Sequence, residues 1–133
     1  MKSYLLDTHA MIWAAIEPKK LSKTARAIIE NPENEILVNN ISFWEISLKY
    51  ALQKLDLSLY TPEDFPSYCT EMGFKIMPFS SELAATFHSL QAKHHKDPFD
   101  RMLIHTAIRL RIPLISKDEN IKLYETEGLK VIW

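Results

Sequence analysis

The stretch that decides the fold runs from His95 to Ser116 and reads HKDPFDRMLIHTAIRLRIPLIS. Asp97 followed by Pro98 is helix-start chemistry. The Asp oxygen caps free N–H groups, and Pro at the first position lacks the N–H that would go unbonded. An apolar helical pattern then predicts a helix from Phe99 to Leu110, and Leu114-Ile115 is a short run of β-formers. The puzzle lies at the mouth of that helix, where Asp97 and Asp100 stand three residues apart. Two acids there are either capping chemistry alone or half of a metal site.

Working outward, the same alternation fills the chain. Tyr4-Leu5-Leu6, Ile36-Leu37-Val38, Phe74-Lys75-Ile76-Met77, Leu114-Ile115 and Val131-Ile132 are short, apolar and far apart, which suits buried parallel strands. Helical patterns lie between them. Ala10 to Ile16 is apolar nearly all round, fit for burial or for an interface. Ser22 to Ile29 is amphipathic. Ser42 to Leu55 puts Trp44, Leu48, Ala51 and Leu55 on one stripe. Thr61 to Met72 opens on Thr-Pro-Glu-Asp, and Ser81 to Leu90 completes the set. Only Gly73 and Gly128 are available for tight turns, so helices rather than hairpins should make the connections. The prediction is an α/β domain with a mostly parallel sheet.

A length of 133 residues suits one domain, residues 1–133, with one core. A net charge of -1 argues against a protein that coats nucleic acid by bulk charge, though not against an enzyme that grips a few phosphates. No apolar run is long enough to span a membrane, and the N-terminus reads poorly as a signal peptide because Asp7 interrupts its apolar stretch. The single Cys69 can form no internal disulfide, so a reducing compartment, the cytoplasm, is the simpler expectation.

The acids fall in a pattern. Asp7 follows the first strand, Asp118 comes just after the fourth, and Glu45 is expected in the first turn of the helix after the second strand. In an open parallel sheet, residues beyond the strand C-termini share one rim, and ligands bind where the strand order reverses. Asp100 joins that rim if its helix runs out along the sheet and the fourth strand returns. Each acid also has a plainer reading. Ser42-Phe-Trp-Glu45 is a capping-box pattern, Asp97, Asp7 and Asp118 could each cap a helix, and Asp100 suits a helix dipole. Taken together, however, these readings gather like charges at one rim, and clustered carboxylates cannot all stay ionised without a cation. An all-oxygen site suits Mg²⁺ or Mn²⁺. Asp7, Glu45, Asp100 and Asp118 are therefore the candidate ligands, with Asp97 a cap that could support them from behind.

The motifs LLDTHAMIW, ISFWEISLK, KDPFDRMLIHTA and LISKDENI, in this order and spacing, resemble PIN-domain proteins, most closely the VapC-type toxins of bacterial toxin–antitoxin pairs. The resemblance covers nearly the whole chain and extends to the final KVIW. It implies a three-layer α/β/α sandwich around a mostly parallel sheet of about five strands, and metal-dependent endoribonuclease activity. It assigns the acidic site to Asp7, Glu45, Asp100 and Asp118, with Asp97 less securely placed, and matches Ser116 to a small hydroxyl position that could orient a carboxylate. It implies an RNA substrate, a homodimer, and a cognate antitoxin that blocks the acidic groove with a basic or aromatic side chain. The chain departs from many relatives at His105-Thr106, and His105 reads more readily as a core histidine than as a site residue.

Phosphodiester cleavage needs an activated water, charge neutralisation at phosphorus and a stabilised leaving oxygen, which Mg²⁺ in an acidic pocket can supply. On this reading Asp7 and Asp100 are the main ligands, Asp118 holds a second ion or water-mediated contacts, and Glu45 orients or deprotonates the attacking water. Lys93, His94, His95, Lys96 and Arg101 form a basic stretch beside the acids that either contacts flanking phosphates or is a solvated loop. Lys117 is a further candidate, and Lys49, one turn after Glu45, could simply pair with it. The helix bearing Trp13 suits a dimer interface as well as a core. Rival readings fare less well. A receiver-type signalling domain wants an acidic pair where Asp7 is followed by Thr8-His9, and an aspartate-nucleophile phosphatase wants an acid where His9 stands. A non-catalytic PIN-like module that binds RNA or protein is disfavoured by the complete set of acids.

Overall fold

Alternate residues of each central strand pack on opposite faces of one sheet, as the apolar runs require. A computed structural model describes residues 1–91 and 94–133. Lys93, named in the basic stretch, lies outside the described residues. The strands are β1 (Ser3–Leu6), β2 (Glu35–Asn39), β3 (Lys75–Met77), β4 (Leu114–Ile115) and β5 (Val131–Ile132). Every pairing is parallel, in the order β3-β2-β1-β4-β5. Tyr4 and Leu6 of β1, Ile36 and Val38 of β2 and Ile115 of β4 join one buried cluster. Their neighbours Leu5, Leu37 and Leu114 join the other. A sheet buried on both faces must be covered by helices on both, which makes three layers.

The helices are α1 (Thr8–Ile16), α2 (Lys23–Glu30), α3 (Asn40–Ala51), α4 (Phe65–Glu71), α5 (Ser81–Thr86), α6 (Pro98–Leu110) and α7 (Glu119–Lys122). The α1 and α4 side chains Met11 and Phe65 lie in the first cluster, and the α6 residues Phe99, Met102, Leu103 and Ile104 in the second. The two glycines take left-handed conformations, Gly73 at φ +80° ahead of β3 and Gly128 at φ +94° ahead of β5. There they turn the chain out of α4 and out of the 3₁₀ turn Leu123–Glu127.

Two expectations about α3 are corrected. It starts earlier than the Ser42 pattern suggested, because Asn39 is the cap: its Oδ1 accepts the Ile41 N–H at 2.9 Å. Ser42 therefore sits inside the helix, and Glu45 falls in its second turn rather than its first. The Trp44, Leu48, Ala51, Leu55 stripe is not the buried face. Trp44 is 60% exposed, Leu48 is exposed too, and the helix ends at Ala51. The buried face carries Ile41, Ser42, Glu45 and Ile46. A 3.6-residue period fixes which residues share a face but not which face meets the core, and polar partners supplied by α1 decided it. The helix that Asp118 was expected to cap is the short α7, whereas the 3₁₀ turns carry no such signal in the sequence.

Candidate active site

The strand order reverses between β1 and β4, and that seam is where an open α/β sheet leaves a crevice at its carboxyl edge. Leu6 pairs with Ile115, and the Asp7 N–H donates to the Ile115 carbonyl at 3.1 Å. Asp7 and Ser116 thus leave the sheet side by side. Asp7 caps α1, accepting the Ala10 N–H at 2.8 Å, and Asp118 caps α7, accepting the Asn120 N–H at 2.7 Å. Asp97 caps α6 through Oδ1, which accepts from the N–H groups of Phe99 at 2.8 Å and Asp100 at 3.1 Å. The plain capping readings hold for all three, and they coexist with a cluster, because each cap uses one oxygen and leaves the other to face its neighbours.

A cavity of about 370 Å³ is lined by Asp7, Asp100 and Asp118 together with His9, Trp13, His95 and Lys117. Three larger hollows, one lined by Met1, Lys2 and Tyr4, another by Pro18, Ile29 and Phe74 and the third by Tyr50, Lys54 and Leu55, contain none of these acids. Their size carries no chemistry, so the acidic cavity is the relevant one. Behind it, Glu45 is buried at 1% exposure. Its Oε1 accepts the Thr8 hydroxyl at 2.5 Å, and its Oε2 contacts the Lys49 ammonium. Lys49 also donates to Asp97 Oδ2 at 2.9 Å. Sequence spacing had suggested the Glu45–Lys49 pair. The contact with Asp97, far away in the chain, had no local signal.

His95 is the functional-site residue whose place the sequence did not reveal. Its Nδ1 accepts the Asp97 N–H at 3.2 Å, which leaves the ring proton on Nε2. That Nε2 stands 2.9 Å from Asp100 Oδ2 and 3.0 Å from Asp118 Oδ2. His95 therefore joins the acids instead of a solvated basic loop. Its neighbour His94 packs edge-on against Tyr124 at 5.2 Å. Arg101 turns toward the Tyr124 hydroxyl at 2.6 Å and the Leu90 carbonyl at 3.3 Å. Lys117 lies 5.9 Å above the Trp13 ring at the cavity wall. His105 is buried elsewhere on α6, with its Nε2 at 3.0 Å from the Thr86 hydroxyl and its ring edge-on to Phe87. Burial holds its pKa below the usual histidine value, which suits the core reading.

The electrostatics record what the packing has done. Burial, then the charges of Glu45, Asp97 and Asp7, push Asp100 up to about 8. Burial also pushes Asp7 up to about 6. The Ser116 hydroxyl bond and the Ala10 N–H oppose that rise, and the Glu45 charge adds to it. For Asp97, burial is outweighed by the Lys49 bond and the capping N–H groups, and its pKa lies below the usual range. Burial would lower Lys49, but the bonds to Glu45 and Asp97 prevail and hold it at about 12. Acids this reluctant to ionise are what a hard dication relieves. Two groups of side chains lie close enough to gather round an ion, His95–Asp100–Asp118 and Glu45–Asp97–Asp100, with all the candidate atoms of a group within 4.8 Å of one another; with its proton on Nε2, His95 leaves the ligand atoms of the first to the two carboxylates. The donor chemistry fits Mg²⁺ or Mn²⁺.

A family model described as PIN domain matches residues 4–127. Over 133 residues, covering 100% of both sequences, the chain is 26% identical to Ribonuclease VapC22 of Mycobacterium tuberculosis. In shape it is similar to VapBC2 from Rickettsia felis bound to a DNA fragment from their promoter, with a TM-score of 0.64, 17% identity, and 98% of this chain and 97% of that one covered. It is also similar to a toxin–antitoxin complex from Klebsiella pneumoniae, with a TM-score of 0.53, 19% identity and 86% of each chain covered.

Proposed function

The chain belongs to the PIN-domain family, and on that premise we propose that it is a metal-dependent endoribonuclease, the toxin of a toxin–antitoxin pair, built as a single domain. The observation that carries this reading is the convergence of Asp7, Asp100 and Asp118 on one cavity at the β1–β4 seam, in a chain related end to end to a protein named as a ribonuclease. The cofactor is Mg²⁺, with Mn²⁺ as a substitute. Asp7, Asp100 and Asp118 would hold it, and Glu45, buried behind them, would add its charge. When bound, the ion supplies charge neutralisation at the scissile phosphate and an acidified water.

The protein's own groups prepare that step. Ser116 and the Ala10 N–H fix the Asp7 carboxylate. His95 spans Asp100 and Asp118 and holds them at a common separation. Thr8 and Lys49 lock Glu45, so that its charge faces the others in one orientation. Lys117 at the cavity wall and Lys96 on the exposed loop serve as contacts to flanking phosphates. Arg101 acts on the substrate side indirectly, by bracing Tyr124 and the segment at Leu90.

The partners proposed are an RNA substrate, a cognate antitoxin and a second copy of the chain. The similarity in shape to a toxin–antitoxin complex supports the antitoxin. Among the described residues no helix is long and apolar enough to cross a membrane, and the lone buried Cys69 suits a cytoplasmic setting. The test is cleavage of a mixed single-stranded RNA with Mg²⁺, with Mg²⁺ plus chelator, and with the Asp7→Asn variant. Cleavage in the first case alone is expected. Full activity of Asp7→Asn would overturn the ligand assignment, and binding without cleavage under every condition would make the chain a binding module.

A further inference from the structure

The two donor sets around Asp100 are not equivalent. In the set formed by Glu45, Asp97 and Asp100, the chain has already placed a cation. Lys49 reaches Glu45 from one turn along α3 and reaches Asp97 across to the start of α6, with its side chain 26% exposed. Glu45 has its other oxygen engaged by Thr8, and Asp97 has its other oxygen engaged by two N–H groups. The Lys49 ammonium already sits against both carboxylates, so a second positive charge placed between them would meet it at close range. In the set formed by His95, Asp100 and Asp118, the bridging group carries its proton on Nε2 and accepts on Nδ1, so it brings no fixed charge. The cavity opens on this side: Asp7, Asp100 and Asp118 line it, whereas Glu45 and Asp97 do not.

We propose that Lys49 stands where a two-ion phosphodiesterase would hold its second ion, so that this site takes one divalent ion, on the Asp7–Asp100–Asp118 side. This rests on the metal-dependent nuclease reading and deepens it. Two-ion sites clamp the attacking and leaving oxygens with a pair of cations. Here the second positive charge is covalently part of α3, is always present, and requires no ion from solution. Lys49 acts through Glu45 and Asp97, as a positioning residue that also sets the ion count.

The experiment counts ions directly. The metal-free chain is titrated with Mn²⁺ and bound ion is measured by electron paramagnetic resonance and calorimetry, with circular dichroism to verify folding. The unaltered protein is expected to bind one ion per chain, Lys49→Arg one, and Lys49→Met two. The double variant Glu45→Gln/Lys49→Met, which removes the carboxylate along with the ammonium, is expected to return to one. Two ions in the unaltered chain overturn the proposal whatever the variants do. A folded Lys49→Met that still takes one ion overturns it as well, because the exclusion would then lie elsewhere. RNA cleavage is assayed on the same samples. An unaltered chain that binds one ion and cleaves no RNA removes the ribonuclease reading while supporting the ion count, so the two failures are told apart.

Discussion

Ser116 stands beside Asp7 across the β1–β4 seam and links two acids: its hydroxyl lowers the pKa of Asp7 and accepts the Asp118 N–H at 3.1 Å. One small buried side chain thus sets the relative position of groups drawn from opposite ends of the sequence. Groups that orient metal ligands typically change affinity by about 10–100-fold when removed. Ser116→Ala is accordingly expected to weaken Mn²⁺ binding by about that factor, read by calorimetry. An unchanged affinity would show that Asp7 and Asp118 are held by their caps alone.

Asp100 is expected to trade stability for function. Burial and three neighbouring carboxylates disfavour its charge, so Asp100→Asn should make the metal-free protein more stable, with a rise in Tm of about 5 °C. The same substitution should lower RNA cleavage roughly a thousandfold, the equivalent of several kcal/mol of lost transition-state charge stabilisation. A lower Tm for the variant without metal would mean that the acids do not repel one another.

The pH dependence of the metal-free protein follows from Asp100 at about 8 and Asp7 at about 6, both above the ordinary 3.8. As pH rises past 3.8 the unfolded chain releases these protons while the fold retains them. The contribution of both groups is therefore full at low pH, falls through 6 and 8, and levels off above. Urea midpoints measured with chelator should decline from about pH 5 to about pH 9. Saturating Mg²⁺ should flatten that decline, and should stabilise most at the alkaline end. A midpoint that rises with pH in chelator would contradict the placement of Asp100.

Trp44 on the outward face of α3 should be dispensable to the fold. Its exposed ring meets Phe99 edge-on at 5.2 Å, and such a pair contributes about 1 kcal/mol. Trp44→Ala is expected to cost about that much in urea unfolding, against about 3–5 kcal/mol for a core tryptophan. A loss in the larger range would show that the outward face of α3 is packed rather than solvated.

That misread stripe marks how far the sequence can be read. The central strands were legible because a sheet covered on both faces makes their middles short apolar runs, spaced far apart along the chain. Asp7, Asp100 and Asp118 were legible because strand ends and helix starts share one rim in a parallel sheet. The start of α3 was not. Asn39 and Ser42 are both competent caps, and the choice fell to Asn39 because the Ser42 hydroxyl is bonded to Thr8 of α1 instead, at 3.0 Å. His95 and the Lys49–Asp97 contact were beyond reach for a similar reason. Their partners lie in other elements, and no local periodicity encodes a contact between α3 and α6 or between a loop and the end of β4.

The β1–β4 seam also fixes when the acids can come together. Asp7 is synthesised well before Ser116 and Asp118, and it can be joined by them only once β4 has left the ribosome. Contacts of such high sequence separation form late in folding. A nascent or truncated chain lacking β4 has no seam and therefore no assembled acids.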